Sequence, residues 1–188
     1  LASVFSQVGA FALTRGSADA ALLENLAPGQ YSIHVEGADG ETGVALAELY
    51  DADQGTVTSR LINISASATV GTGANVLIAG FVISGTTSET VLLRGVGPTL
   101  ASLGVSNVLQ QPVLTLFDKN SNPLTSNTGW ANSSLIAAAS SAVYAFALEP
   151  NSADSALLVT LAPGLYSIGV SGANSTSGEA LVEVYEVR

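Results

Sequence analysis

The sequence predicts an all-β protein: an antiparallel β-sandwich module of jelly-roll-like kind, with a partial second copy of the module ahead of it. Three observations predict this. Short runs rich in β-branched residues are separated by Gly, Pro and Asn turns. Residues 11–50 align without a gap to residues 146–185, at a constant offset of 135 and with more than half the positions identical. The longest apolar runs, at 76–83 and 135–148, fall short of the roughly 20 residues that a spanning helix needs.

The offset defines a module of 135 residues, of which 54–188 is one complete period and 1–53 only the last part of another. The partial copy is expected to form a lead-in, Leu1–Leu13, and three strands near 20–26 (ALLENL), 30–36 (YSIHVEG) and 43–50 (VALAELY). Residues 51–60 (DADQGTVTSR) read as the linker between copies. In the complete copy, 61–70, 75–84 and 89–97 read as strands, and 98–104, opening on Pro98, as a helical turn. PVLTLFD (112–118) is the next strand, closed by the turn KNSNP. An Ala-rich helix is expected at 133–141, capped by Asn132 or Ser133. Strands at 155–161, 165–171 and 179–187 complete the module. Ala-Pro-Gly at 27–29 and at 162–164 suits a type II turn. The tyrosine that follows each, Tyr31 or Tyr166, is either a tyrosine corner or a half-buried strand residue.

Composition narrows the function classes. Five Lys+Arg against fifteen Asp+Glu give a net charge of −10. A phosphate backbone requires a basic face, so nucleic acid is excluded as a partner, and anionic membrane is disfavoured for the same reason. Cysteine is absent, which removes disulfides, thiolate metal sites and thiol catalysis. Charged residues make up only 11%, against roughly 25% in an average soluble domain. A surface so poor in charge favours association. Methionine is also absent, so a leader removed ahead of Leu1 is expected, and with it an extracellular or cell-surface location.

The side chains that could carry chemistry are few. His34 is the only histidine and is Gly169 in the other copy, so no nucleophile has a base beside it. The carboxylates Asp19/Asp154, Glu48/Glu183 and Asp51/Glu186 recur in both copies. Recurrence argues for local structural work: Asp19 and Asp154 as turn caps, Glu48 and Glu183 as the solvent-facing residues of alternating strands. The chain is therefore read as a non-enzyme without a cofactor. Calcium is the one ligand considered, because Asp118, Asn120 and Asn122 place oxygens at alternate positions. Pro123 stands where a calcium loop has Gly, and a plain Asx turn competes with the metal reading. Trp130, the only tryptophan, either plugs the sandwich end or stands exposed as a stacking platform for a sugar ring.

The run VLTLFDKNSNPLTSNTGW (113–130), with ALLVTLAPGLYSIGVSG (156–172) and EALVEVYEV (179–187), resembles the bacterial pre-peptidase C-terminal type of β-sandwich. The module 54–188, with SRLINIS, LIAGFVISG and LLRGVGPTL, also resembles tandem repeats of large secreted bacterial surface proteins. The resemblance implies an accessory or structural unit instead of a catalyst.

The partial copy suggests the function. Its three strands need a cover for their apolar face, since exposure forfeits roughly 25 cal/mol per Å2. The cover is the complete module of the same chain, a strand set from a neighbour, or a half that the sequence does not include. The leading expectation is the second: a structural subunit of an extracellular filament or surface layer, a homopolymer of copies of itself, with Leu1, Val4, Val8 and Phe11 as contact anchors. The alternative is an accessory module that binds polysaccharide or cell wall through Trp130.

Overall fold

The computed structural model describes residues 1–53 and 59–188. The chain divides into two compact units, Leu1–Leu61 and Ile62–Arg188. The expected linker at 51–60 falls partly on 54–58, outside the described residues.

Unit 62–188 is a β-sandwich. Its strands are β1 (Asn63–Val70), β2 (Leu77–Ile83), β3 (Glu89–Val96), β4 (Pro112–Asp118), β5 (Pro123–Asn127), β6 (Ser155–Leu161), β7 (Gly164–Gly172) and β8 (Gly178–Val187). One antiparallel sheet runs β1-β8-β3-β6 and the other β2-β7-β4-β5. Strands expected from alternating or continuous apolar runs form within two residues of their predicted ends. β5 is the addition. Its sequence, PLTSN, is polar and begins with Pro, which suits the first residue of an edge strand.

The inner faces of the two sheets meet in one apolar core. Val91 and Leu93 of β3 and Val182 and Val184 of β8 face Leu114 and Leu116 of β4 and Ile168 and Val170 of β7. The period of two puts the intervening residues of β3 and β8 on the opposite face. That outer face is covered too. Helix α2 (Pro98–Ser102) and helix α3 (Ser134–Ala142), with the loop after it, close a second core around Leu92, Val96, Leu100, Trp130, Ile136 and Leu148. β3 is therefore buried on both sides, which accounts for its continuous apolar sequence. The Ser133 hydroxyl accepts from the Ile136 N–H at the start of α3, so Ser133, not Asn132, is the cap.

Unit 1–61 holds helix α1 (Ala2–Val8) and a 3-10 turn (Ala38–Gly40). Among its described residues no strand is laddered to another, so the three strands expected at 20–26, 30–36 and 43–50 do not form. The sheet order explains this. Their counterparts in the complete module are β6, β7 and β8. β6 pairs with β3, β7 with β2 and β4, and β8 with β1 and β3. No two of the three are neighbours, so by themselves they have nothing to pair with.

Close approach of backbone fixes Gly97 in the sandwich. A Cβ on Gly97 would lie 2.0 Å from the Leu109 carbonyl oxygen. Gly97→Ala must displace backbone, and it should cost about 1–3 kcal/mol or more. Urea unfolding followed by Trp130 fluorescence is the measurement; an unchanged midpoint would refute the packing argument.

Candidate functional site

The sequence of the closing half of the module occurs twice, and several of its short-range contacts are the same in both places. Tyr31 donates to the Ala27 carbonyl at 2.9 Å, and Tyr166 to the Ala162 carbonyl at 3.0 Å. Both tyrosines thus bond back over the Ala-Pro-Gly corner. The Ser17 hydroxyl donates to Asp19 at 2.6 Å, as Ser152 does to Asp154. The Tyr50 hydroxyl donates to Glu48 at 3.1 Å, as Tyr185 does to Glu183 at 2.6 Å. The 3-10 turns Ala38–Gly40 and Ala173–Ser175 coincide at the repeat offset, with positive φ at Asp39 and Asn174.

What differs is cover. Ile168 and Val170 are 0% exposed, whereas Ile33 and Val35 are each 59% exposed. Leu22, Val44 and Leu46 are likewise exposed. Among the described residues, 20–50 therefore present backbone that no sheet ladder pairs and uncovered apolar side chains, which together make the principal candidate site.

In the complete module the corresponding side chains show what such a site receives. Arg94 lies directly opposite Glu183 in the β3–β8 ladder. Its Nε donates to Glu183 Oε2 at 2.7 Å and its Nη1 to the Phe146 carbonyl at 2.6 Å. Nη2 sits 2.6 Å from Oε2 at an angle too oblique for a hydrogen bond, so it contributes charge pairing. The guanidinium stacks 4.3 Å from the Phe146 ring centroid. Glu183 was expected to face solvent, and it is buried instead. The alternation was read correctly, but α3 and its loop cover that face, and Arg94 supplies the charge that permits burial. Burial, followed by the bond to Glu183, raises the Tyr185 hydroxyl pKa above the ordinary tyrosine range.

Asp154 is a second buried carboxylate. It accepts from the Gly97 N–H at 2.7 Å, from the Thr99 N–H at 3.2 Å, and from the Thr99 and Ser152 hydroxyls. Its role is to cap, as expected, but the N–H groups it holds belong to the start of α2, more than fifty residues away. Trp130 is 9% exposed, and its Nε1–H donates to Ser152 at 3.0 Å. The ring is thus no surface platform for a sugar, and the stacking assignment is corrected: the loop before β6 and helix α3 close over it. It lines a cavity of about 220 Å3 with Ile136, Ser140 and Leu148.

The remaining candidates do not come together as predicted. Asp118 accepts from the N–H groups of Asn120 (2.8 Å) and Asn122 (2.9 Å), and from the Asn122 amide nitrogen at 3.0 Å. These bonds, led by the Asn122 side chain, hold its carboxyl below the ordinary range. Asn122 presents its donor to Asp118, so the three residues make an Asx turn and not a convergent oxygen set. Among the described residues no group of three or more His, Asp or Glu is placed to hold a metal. The anchors Leu1, Val4, Val8 and Phe11 do not alternate along a strand. Val4 and Val8 share one face of α1 and are half-buried, while Leu1 and Phe11, at its two ends, are exposed.

No family model matches the chain, and no curated protein matches it. Among solved structures it is similar to the pre-peptidase C-terminal domain of a collagenase from Bacillus anthracis. That similarity has 10% identity and a TM-score of 0.40, and it covers 65% of this chain and 89% of that one.

Two outcomes test the buried cluster. Glu183→Gln leaves Arg94 charged and buried without its counter-ion, and should cost about 3–5 kcal/mol in denaturant unfolding. The raised Tyr185 pKa means that the folded state holds its proton above pH 10, where the unfolded chain loses it. That contribution to stability is complete below about pH 10 and is lost as pH rises through the folded pKa. Tyr185→Phe should flatten the fall in stability above pH 10; an unchanged alkaline slope would refute the assignment.

Proposed function

We propose that this chain is a non-catalytic structural subunit of an extracellular filament or surface layer, in which neighbouring molecules are joined by β-strand pairing and apolar burial. The observation that carries this reading is the state of residues 20–50: in the module they duplicate, each of the corresponding strands β6, β7 and β8 takes its hydrogen-bond partners from the other half. Unpaired N–H and C=O groups beside exposed Leu, Ile and Val recruit further strands. Copies of the same chain offer acceptors in the sheet edges at β1, β6, β2 and β5. A contact between unlike surfaces propagates as a filament wherever its rotation does not close a ring.

Other features agree. Only 11% of residues are charged, so much of the surface carries no charge to desolvate on contact. No described helix is long and apolar enough to cross a membrane. The resemblance of 54–188 to repeats of secreted bacterial surface proteins fits the same setting. Strand pairing requires no cofactor, and the carboxylate that suggested calcium serves its own turn. The alternative, an accessory polysaccharide- or cell-wall-binding module, loses Trp130 as its stacking platform, because that ring is buried.

Sedimentation and negative-stain electron microscopy of the full chain test the proposal. Polymers that lengthen with concentration are expected, and removal of residues 1–53 should leave a monomer. A full chain that stays monomeric at its highest soluble concentration would overturn the reading.

A further inference from the structure

The two outer faces of the sandwich differ. Helices α2 and α3 close over β3 and β8 on one side. The other side is the outward face of the sheet β2-β7-β4-β5. Its register brings a set of side chains together: Val82 stands beside Leu165, Ile78 beside Gly169, and Ser167 beside Phe117. Their neighbours along the strands, Phe81, Ile168 and Leu116, pack into the core, so this set points outward. Ile78, Val82 and Leu165 are 63%, 64% and 58% exposed. None of the outward positions of the four strands is Asp, Glu, Lys or Arg, in a chain of net charge −10. The face is also low, because Gly80, Ser167 and Gly169 line its middle, and a Cβ on Gly169 would lie 3.4 Å from the Phe117 ring. A strand of this pattern does not require such a face. At the repeat offset Leu165, Gly169 and Ser171 correspond to Gln30, His34 and Glu36.

We propose that this face packs against the same face of a second copy, as the lateral contact between one filament and the next. The setting rests on the strand-pairing reading above, and the contact goes beyond it, because strand pairing uses residues 20–50 and the sheet edges and leaves this face free. Charge selects the partner. An acidic chain meets its own copy at least cost where neither surface carries charge. A charged partner would lose hydration against a face that offers it no counter-ion. Two sheets of this kind pack face to face about 10 Å apart, with their strands within about 30°. Ile78 and Val82 project on either side of Gly80, so each copy offers ridges and a hollow to its mate. Four strands about 4.8 Å apart, with seven residues of about 3.3 Å each, give roughly 450 Å2 of sheet per copy and about 900 Å2 for a facing pair. That is below the size of a stable two-body interface. An isolated unit 62–188 therefore stays monomeric, and the contact gains strength where a filament sets many copies in a row.

The test uses the full chain, which has no cysteine of its own. Ser167→Cys places a single thiol near the centre of the face, and a two-fold contact brings that thiol near its own mate. A bifunctional maleimide with a reach of about 10 Å, matched to the sheet spacing, should then give a covalent dimer at the highest soluble concentration, with or without filaments. Ser141→Cys, exposed on α3, reports random collision and should give at least about tenfold less. Ile78→Glu with Val82→Glu, at two exposed positions, sets like charges against each other. The pair should lower Ser167→Cys cross-linking to the Ser141→Cys level and separate bundled filaments into single ones, with Trp130 emission unchanged as the check on folding. Cross-linking no greater than at Ser141, or cross-linking that survives the two glutamates, would overturn the proposal. A polysaccharide or an unlike protein seated on the face would produce the first of these results. The two readings fail separately. Filaments without a Ser167→Cys dimer refute the face contact alone, whereas a cross-linked pair in a chain that never lengthens into polymers refutes the filament alone.

Discussion

No two of the last three strands of the module touch. β6, β7 and β8 follow one another along the chain, yet each is inserted beside strands of the first half: β3 for β6, β2 and β4 for β7, β1 and β3 for β8. Every ladder that holds the closing half thus spans the module, as when Asn63 faces Tyr185. Neither half can satisfy its backbone alone, and the sandwich forms as one event between distant segments. The same constraint decides the fate of residues 1–53, which contain three strand sequences and none of their partners.

On this topology the Arg94–Glu183 pair acts as a pin between the halves. Arg94 belongs to the opening half and Glu183 to the closing half, and they meet at one register position of the β3–β8 ladder. A slip of β8 by one residue would turn Glu183 into the inter-sheet core, where nothing solvates it, and leave Arg94 buried without its partner. The pair need not be a net gain over apolar residues of the same size. Its effect is discrimination: the register that places guanidinium against carboxylate, Phe146 and the Tyr185 ring is the one that also seats Val182 and Val184 inside. Asp154 repeats the logic at the strand end, tying the start of β6 to the N–H groups that open α2.

The local parts of this design are legible in the sequence. PVLTLFD and SALLVTL became β4 and β6 at their predicted ends, and the Ser133 cap and the Ala-Pro-Gly corners follow from turn and capping chemistry. What was not legible depends on a third layer. Glu183 alternates with valines and so reads as solvent-facing; only the fold of α3 over that sheet face reveals it as buried. Trp130 sits in the polar stretch SNTGWANSS, and its burial depends on the same cover. β5 carries no apolar signal because it lies at a sheet edge. The repeat predicts strands in 1–53 that do not form, because a strand is a relation between segments and the relation needs the other half.

The two copies separate what short segments encode from what pairing adds. Turns, corners and the serine–aspartate and tyrosine–glutamate bonds span four residues or fewer, and they hold in 1–53 without any partner. Burial of Ile33 and Val35 and neutralisation of Glu48 are non-local, and they are absent there. A half-module with its short-range geometry in place gives up less conformational entropy on docking than a disordered strand would, because its corners are already turned. The apolar area it exposes is of the kind that a sandwich buries completely. Affinity for complementary strands is therefore the expected consequence of a closing half left unpaired, and specificity comes from the polar positions. Apolar strands accept many partners, but a carboxylate drawn into the outer layer accepts only one that brings the opposite charge.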